Sequence, residues 1–248
     1  MIAVVMGLRR SGTSLVSQIL HELGVVMGET FLQTLPDWNP GGFYEDAEFV
    51  AVADRVVAAA LHVNNGRIAA LGDPRPLEEL QALIRRRATR YPNWGLKNFA
   101  LAYLFHEFAA HCPEPVRLVV TLRSFAESVF SYCRAARERP DQVVPRFGHD
   151  LVNVEMTLKT YAGPTLEVSY DRLLERPAEA VRELADFCGV PFREEVVGLV
   201  RPERRRFGPA KPARRDSPHS PLPNPCAARP AARAGGEHEE ALEVAGGR

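Results

Sequence analysis

Gly7-Leu8-Arg9-Arg10-Ser11-Gly12-Thr13-Ser14 is a glycine-bounded turn set between two runs of different periodicity. Ile2 to Met6 before it is short, apolar and partly β-branched, which predicts a buried strand; Leu15, Val16, Ile19, Leu20 and Leu23 after it recur at helical spacing. A turn of this kind, where a strand feeds a helix, aims main-chain N–H groups at an anion, and its glycines let the backbone come close. Gly7 and Gly12 are spaced as in a nucleotide phosphate loop, and Ser11, Thr13 and Ser14 add hydroxyl donors. Thr13 stands where such loops carry lysine, and positive charge comes instead from Arg9 and Arg10 within the turn. A neutral residue at the start of the helix argues against tight triphosphate recognition, whereas a loop arginine suits one phosphate-like group bearing a labile substituent.

Val116 to Leu122 repeats the pattern, an apolar strand ending in Arg123, with Ser124 to Tyr132 reading as a turn into a helix. A metal-dependent NTPase would carry a magnesium-positioning acid at such a strand end. The charge here is opposite. Arg123 with Ser131 is a candidate second anion site, Ser128 being a nearer alternative donor.

Elsewhere, helices are expected at 48–62, 76–89, 101–111 and 177–188, the last opened by Pro177 and closed before Gly189. Strands at 2–6, 93–97, 116–122 and 165–170 alternate with them. That alternation predicts an α/β three-layer sandwich, a central parallel sheet with helices on both faces and ligands at the carboxyl ends of the strands. Gly7, Lys97 and Arg123 would then share one edge of the sheet.

Arg10-Ser11-Gly12-Thr13-Ser14, followed by Arg123 with Ser131, resembles the two cofactor-binding signatures of the sulfotransferase family. Asn39 to Asp46, Trp94-Gly95-Leu96-Lys97 and Leu166 to Pro177 resemble further segments of bacterial members, and the likeness runs from about residue 1 to residue 207. The resemblance implies a donor, 3′-phosphoadenosine 5′-phosphosulfate (PAPS). Its phosphosulfate would lie on the first loop (Arg9, Arg10, Ser11, Gly12, Thr13 and Ser14), and its 3′-phosphate on Arg123 and Ser131. Asn98 and Phe99 follow Lys97 where the family often has an acidic residue and a proline. The glycine-rich C-terminal cofactor loop of the animal enzymes is also missing, with Arg201, Arg204, Arg205 and Arg206 as alternative cations.

Moving a sulfuryl group requires a base for the acceptor proton, cations for charge spread over the sulfur oxygens, and stabilisation of the departing phosphate. Arg10 and the loop amides are assigned to the phosphosulfate and Lys97 to developing charge, with no metal required. Glu45, after a Pro-Gly-Gly turn, is the first candidate base, as a glutamate is in some family members; Asp46 is the second, His62 and His106 are alternatives, and His21 reads as solvated. Residues 26–75, without sheet character and carrying Phe31, Leu35, Trp38, Phe43 and Tyr44, are expected to line the pocket of a small-molecule, glycan or lipid acceptor.

Composition bounds the rest. The 248 residues suit one main domain, 1–208; from 209 to 248 the chain is Pro-, Ala-, Arg-, Gly- and Glu-rich and is expected to be a disordered tail. Lys plus Arg and Asp plus Glu both total 31, so no net charge draws the protein to nucleic acid or an anionic membrane. Cys112, Cys133, Cys188 and Cys226 lack metal-like spacing and read as reduced thiols of a cytoplasmic protein. The N-terminal apolar run is too short for a signal peptide, and no stretch reaches the ~20 apolar residues of a membrane span. Two rival readings remain at this stage: a phosphate-loop kinase or NTPase with Asp171 as its magnesium acid, and a catalytically silent nucleotide-binding module.

Overall fold

The computed structural model describes residues 1–33, 39, 41–64 and 67–201. Its layering follows from one strand. In β1 (Ile2–Gly7), Ile2, Val4 and Met6 face one apolar cluster while Ala3 and Val5 face another, so alternate residues build two cores. β4 (Trp94–Lys97) and β5 (Arg117–Leu122) pair with β1 on its two sides, and β6 (Thr165–Ser169) pairs with β5. The sheet is four-stranded, order β4-β1-β5-β6, and every pairing in it is parallel.

On one face lie α2 (Ala47–Ala59), α3 (Arg75–Arg90) and α4 (Leu101–Ala110), burying Phe49, Leu80, Ile84, Phe105 and Phe108 against the strands. On the other lie α1 (Thr13–Glu22) and α8 (Pro177–Cys188), contributing Val16, Ile19, Leu20, Val181 and Leu184. Each such side chain contributes roughly 1.5–3 kcal/mol by leaving water. A smaller cluster of Val129, Cys133, Val143 and Phe147 joins α5 (Phe125–Ala136) to α6 (Pro140–Thr160). The short helices α7 (Tyr170–Glu175) and α9 (Glu194–Val197) complete the helices on the described residues.

The three-layer α/β expectation holds, and the four strands of the sheet fall within a residue or two of their expected positions. Residues 26–75 depart from expectation. The helix expected to 62 stops at Ala59, and β2 (Ala60–Asn64) and β3 (Arg67–Leu71) form an antiparallel pair. The alanine- and valine-rich run up to His62 looked helical throughout, because three consecutive alanines mask the point at which strand preference takes over. The Asn65-Gly66 dipeptide between the two strands is the hairpin signal in the sequence. Helix α6 was not expected either, since Pro145 and Gly148 lie within it. Val143, Phe147 and Val154, buried along one side of it, outweigh those two breakers. The tail expected at 209–248, together with Cys226, Arg204, Arg205, Arg206, Leu35 and Trp38, lies outside the described residues.

Sheet register brings the carboxyl ends of four chain-distant strands to one edge through three pairings: Val5 with Lys97, Gly7 with Thr121, and Leu122 with Ser169. The loop after β1 needs its glycines. Gly12 has φ 103°, and a Cβ there would stand 2.5 Å from Tyr170 Cδ2. Gly12→Ala is therefore expected to cost about 1–3 kcal/mol in backbone strain alone, a fall of about 2–4 °C in Tm per kcal/mol. A melting curve superimposable on the wild type would overturn the strain argument.

Candidate functional site

The loop from Gly7 to Ser14 opens into a cleft of about 840 Å³ at the carboxyl ends of β1, β4 and β5. Helix α1 begins above it with Gly12 as N-cap, no capping side chain and no acidic residue in its first turn. Its first amides thus have no capping side chain and no carboxylate in the first turn to satisfy them. Gly12, Thr13, Ser14 and Leu15 all line the cleft.

Arg10 adopts the left-handed conformation, φ 71°, uncommon for a side chain of its size. Contacts with Arg123 and Ser131 help hold it there. Its carbonyl accepts from Arg123 Nη1 at 2.9 Å, and its own Nε donates to Ser131 Oγ at 3.3 Å. Arg123 also pairs with Glu127 one turn along α5 at 3.0 Å, and its guanidinium lies 4.5 Å from the ring centre of Tyr170. The expected anion sites therefore adjoin: the first loop, Arg123 and Ser131 are lashed together in a single cleft. Ser131 meets Arg10. Ser128, the alternative donor, is buried and absent from the cleft lining.

Arg9 also lines the cleft, its guanidinium 4.0 Å over the Phe99 ring and bonded to Asp150 at 3.1 Å. Ser11 differs from expectation. Its hydroxyl donates to Leu8 O at 2.6 Å and meets Thr121 Oγ1 at 2.6 Å, beneath the loop and outside the cleft lining. That hydroxyl shapes the turn, because its one proton is committed to Leu8 O and none is left to donate to an anion.

Lys97 and Glu45 both line the cleft and pair with each other. Lys97 is buried at the end of β4, where its Nζ makes a very short ion pair with Glu45 Oε1 and reaches Ser14 Oγ at 3.4 Å and Phe43 O at 3.3 Å. Asn98 Nδ2 donates to the other Glu45 oxygen at 3.4 Å. Burial pulls the Lys97 amine below its ordinary pKa; Glu45 opposes the shift, and Arg10 and Arg9 reinforce it. A departure from the family pattern, Asn98 after Lys97, thus becomes a ligand of Glu45.

The other base candidates are accounted for elsewhere. Asp46, second choice in the sequence, N-caps α2: one oxygen accepts from Phe49 N at 2.9 Å, the other from Glu29 N at 2.8 Å and Arg87 at 2.9 Å. Only 1% exposed, it has no oxygen left for an acceptor. His106 Nε2 meets Thr160 Oγ1 at 2.9 Å, away from the cleft, and burial lowers its pKa. The side chain of His62 lies outside the described residues. His21, expected to be solvated, packs against Phe31 and Tyr44 at ring distances of 5.3 and 5.8 Å. Asp171 is not among the cleft residues. Cys112 and Cys188 are free thiols pushed by burial up to about 12 and about 11, which leaves no thiolate for chemistry near neutrality.

The acceptor-side expectation narrows. Of 26–75, the described stretch that reaches the cleft is Leu32, Asn39, Gly41, Gly42, Phe43 and Glu45, whereas α2 and the β2–β3 hairpin are absent from its lining. Arg146, stacked 5.0 Å from Tyr132, and Arg201 are cationic lining residues that the motifs alone did not single out as a pair. Among the described residues Glu45 is the one acidic group in a lining that also holds Arg9, Arg10, Lys97, Arg123, Arg146 and Arg201. Such a cleft suits a ligand with several negative charges. Among the described residues, no group of His, Cys, Asp and Glu is arranged to hold a metal ion, and no helix is long and apolar enough to cross a membrane.

No curated protein matches the chain. Among solved structures it overlays on a sulfotransferase from Mycobacterium tuberculosis with 18% identity and a TM-score of 0.47, covering 80% of this chain and 70% of that one. The sulfotransferase domain from the curacin biosynthetic pathway gives 13% and 0.48, covering 81% and 77%. A retinol dehydratase in complex with androsterone and the inactive cofactor PAP gives 14% and 0.42, covering 82% and 64%. A family-wide sequence profile extends over residues 3–194, through the loop, Lys97, Arg123 and β6 alike, and by that match the chain belongs to the sulfotransferase family.

Proposed function

We propose that the chain transfers a sulfuryl group from PAPS to a hydroxyl or amine of a small-molecule, glycan or lipid acceptor, through a catalytic domain spanning residues 1–208. The observation that carries this reading is the chain of contacts from Arg123 through the Arg10 carbonyl and guanidinium to Ser131, which makes one cleft of two anion cradles. Its volume, about 840 Å³, lies in the range of pockets that enclose a nucleotide-sized ligand. The cationic lining fits a donor with a phosphosulfate at one end and a phosphate at the other.

The donor supplies the sulfuryl group and a stable bisphosphate leaving group. Arg10 and the α1 amides hold the phosphosulfate end and stabilise charge on the departing phosphate. Arg123 and Ser131 hold the 3′-phosphate, which fixes the donor's register along the cleft. Glu45 takes the acceptor proton. Lys97, already against Glu45 and Ser14, lies where charge on the sulfuryl oxygens develops, and its lowered pKa marks an amine that gains from meeting an anion.

Thermal shift tests the assignment, because a ligand bound only by the folded state stabilises it by mass action. Adenosine 3′,5′-bisphosphate is expected to raise Tm, magnesium–ATP to raise it less, and Arg10→Ala to abolish the bisphosphate shift. A larger shift with magnesium–ATP would transfer the chain to the kinase reading. Unchanged bisphosphate binding in Arg10→Ala would remove the loop from the site. Radiolabelled donor incubated with host extract then identifies the acceptor.

A further inference from the structure

Arg87 lies on α3, outside the cleft lining, and is 4% exposed. A guanidinium so deep in a protein needs partners, and this one has three carboxylates: Asp46 at 2.9 Å, Glu48 at 3.1 Å, and Glu29, which it pairs with closely through Nη1. Two of the three come from opposite sides of a short antiparallel ladder. Leu32 N donates to Glu45 O at 2.9 Å, Ala47 N donates to Thr30 O at 2.7 Å, and Phe31 bridges Asp46 between them. Asp46 ties the same two segments again by accepting from Glu29 N. One guanidinium therefore bolts both sides of the ladder to α3.

Glu45 sits on this ladder immediately before Asp46. Consecutive residues of extended backbone point to opposite sides: the Asp46 carboxylate meets Arg87, and the Glu45 carboxylate meets Lys97 and Asn98. The backbone of Glu45 is thus held from behind by a group that never touches the cleft.

We propose that Arg87 is a positioning residue for the transfer reaction, setting the Glu45 carboxylate opposite Lys97 by clamping Glu29 and Asp46 on either side of the ladder that carries Glu45. This rests on the reading of Glu45 as the base. It assigns to α3, a helix that contributes no cleft residue, a part in the chemistry.

Competitive acetylation of lysines by acetic anhydride reads the Glu45–Lys97 contact without needing the acceptor. The chain has three lysines, Lys97, Lys159 and Lys211, so peptide mapping gives the Lys97 rate with Lys159 as internal standard. Only the neutral amine reacts, and Glu45 is what opposes deprotonation of Lys97. Glu45→Gln sets the upper reference. Arg87→Gln is expected to raise Lys97 acetylation relative to Lys159 by about tenfold, one pKa unit of neutral-amine fraction, while adenosine 3′,5′-bisphosphate affinity holds. Arg87→Lys, which keeps a cation, is expected to restore most of the protection.

A Lys97-to-Lys159 ratio in Arg87→Gln equal to that of the wild type overturns the proposal, and so does a rise that Arg87→Lys fails to reduce. Should Arg87→Gln lack a melting transition, Asp46→Asn decides by the same ratio, since it removes the paired charge but keeps an acceptor for Phe49 N. If neither variant folds, Arg87 is a structural ion and the positioning role is discarded. Failure of the wild type to bind the bisphosphate would instead sink the donor assignment while leaving the acetylation ratio to judge the clamp.

Discussion

Glu45→Gln is expected to lower turnover by about 10²–10⁴, the range over which a positioned general base contributes, while adenosine 3′,5′-bisphosphate binds as well as before or more tightly. The two halves of that expectation have one origin. Gln keeps an oxygen for Lys97 but cannot accept a proton, and it removes the acidic group from an otherwise cationic lining. Turnover is read as bisphosphate release in the presence of the acceptor, affinity by calorimetry. A fully active variant removes Glu45 as base; a variant that loses both turnover and affinity reassigns it to architecture. A stability signature accompanies the kinetics. Burial already holds the Lys97 amine below its ordinary value of 10.5, and without Glu45 that burial acts unopposed. Between the lowered native value and 10.5 the unfolded chain binds more protons than the folded one, so the variant's stability rises with pH across that window, and more steeply than the wild type's.

Arg123→Ala is expected to weaken adenosine 3′,5′-bisphosphate by about 2–5 kcal/mol, the cost of truncating one partner of a buried charge-assisted contact, or about thirty-fold or more in Kd. Adenosine 5′-phosphate should lose less. Part of the loss is common to both ligands, because the Arg10 carbonyl forfeits its donor and the strained φ of 71° its support. The remainder belongs to the 3′-phosphate, and the difference between the two ligands measures it. Equal losses would discard Arg123 as a phosphate ligand and leave it as a prop for the loop.

How much of this was legible beforehand depended on the range of the signal. Gly7, Gly12 and the strand and helix beside them speak through neighbours a few residues away, and the loop formed where expected. The β5 end at Arg123 was equally readable, because an apolar run stopping at a charge is local. Glu45 and Lys97 were each singled out, yet nothing in the chain predicted that they touch, for 52 residues separate them. Glu45 ranks ahead of Asp46 on its place after a Pro-Gly-Gly turn alone; the fold supplies the physical reason, since Asp46 is consumed by Arg87, Phe49 N and Glu29 N while Glu45 turns to Lys97. Arg87 itself lay hidden, an arginine among others on a basic helix until burial distinguished it. In α6, Pro145 and Gly148 argued locally against a helix that tertiary packing enforces.

The order of strands in the sheet has a consequence during synthesis. β1 emerges from the ribosome well before both of its neighbours, since β4 and β5 lie about ninety and more than a hundred residues downstream. At ordinary elongation rates the interval is on the order of 10 s. Until Lys97 and then Leu122 clear the tunnel, a nascent strand of Ile2 to Met6 has an edge unpaired even after α1, α2 and α3 have been made to cover its faces, a natural client for holdase chaperones.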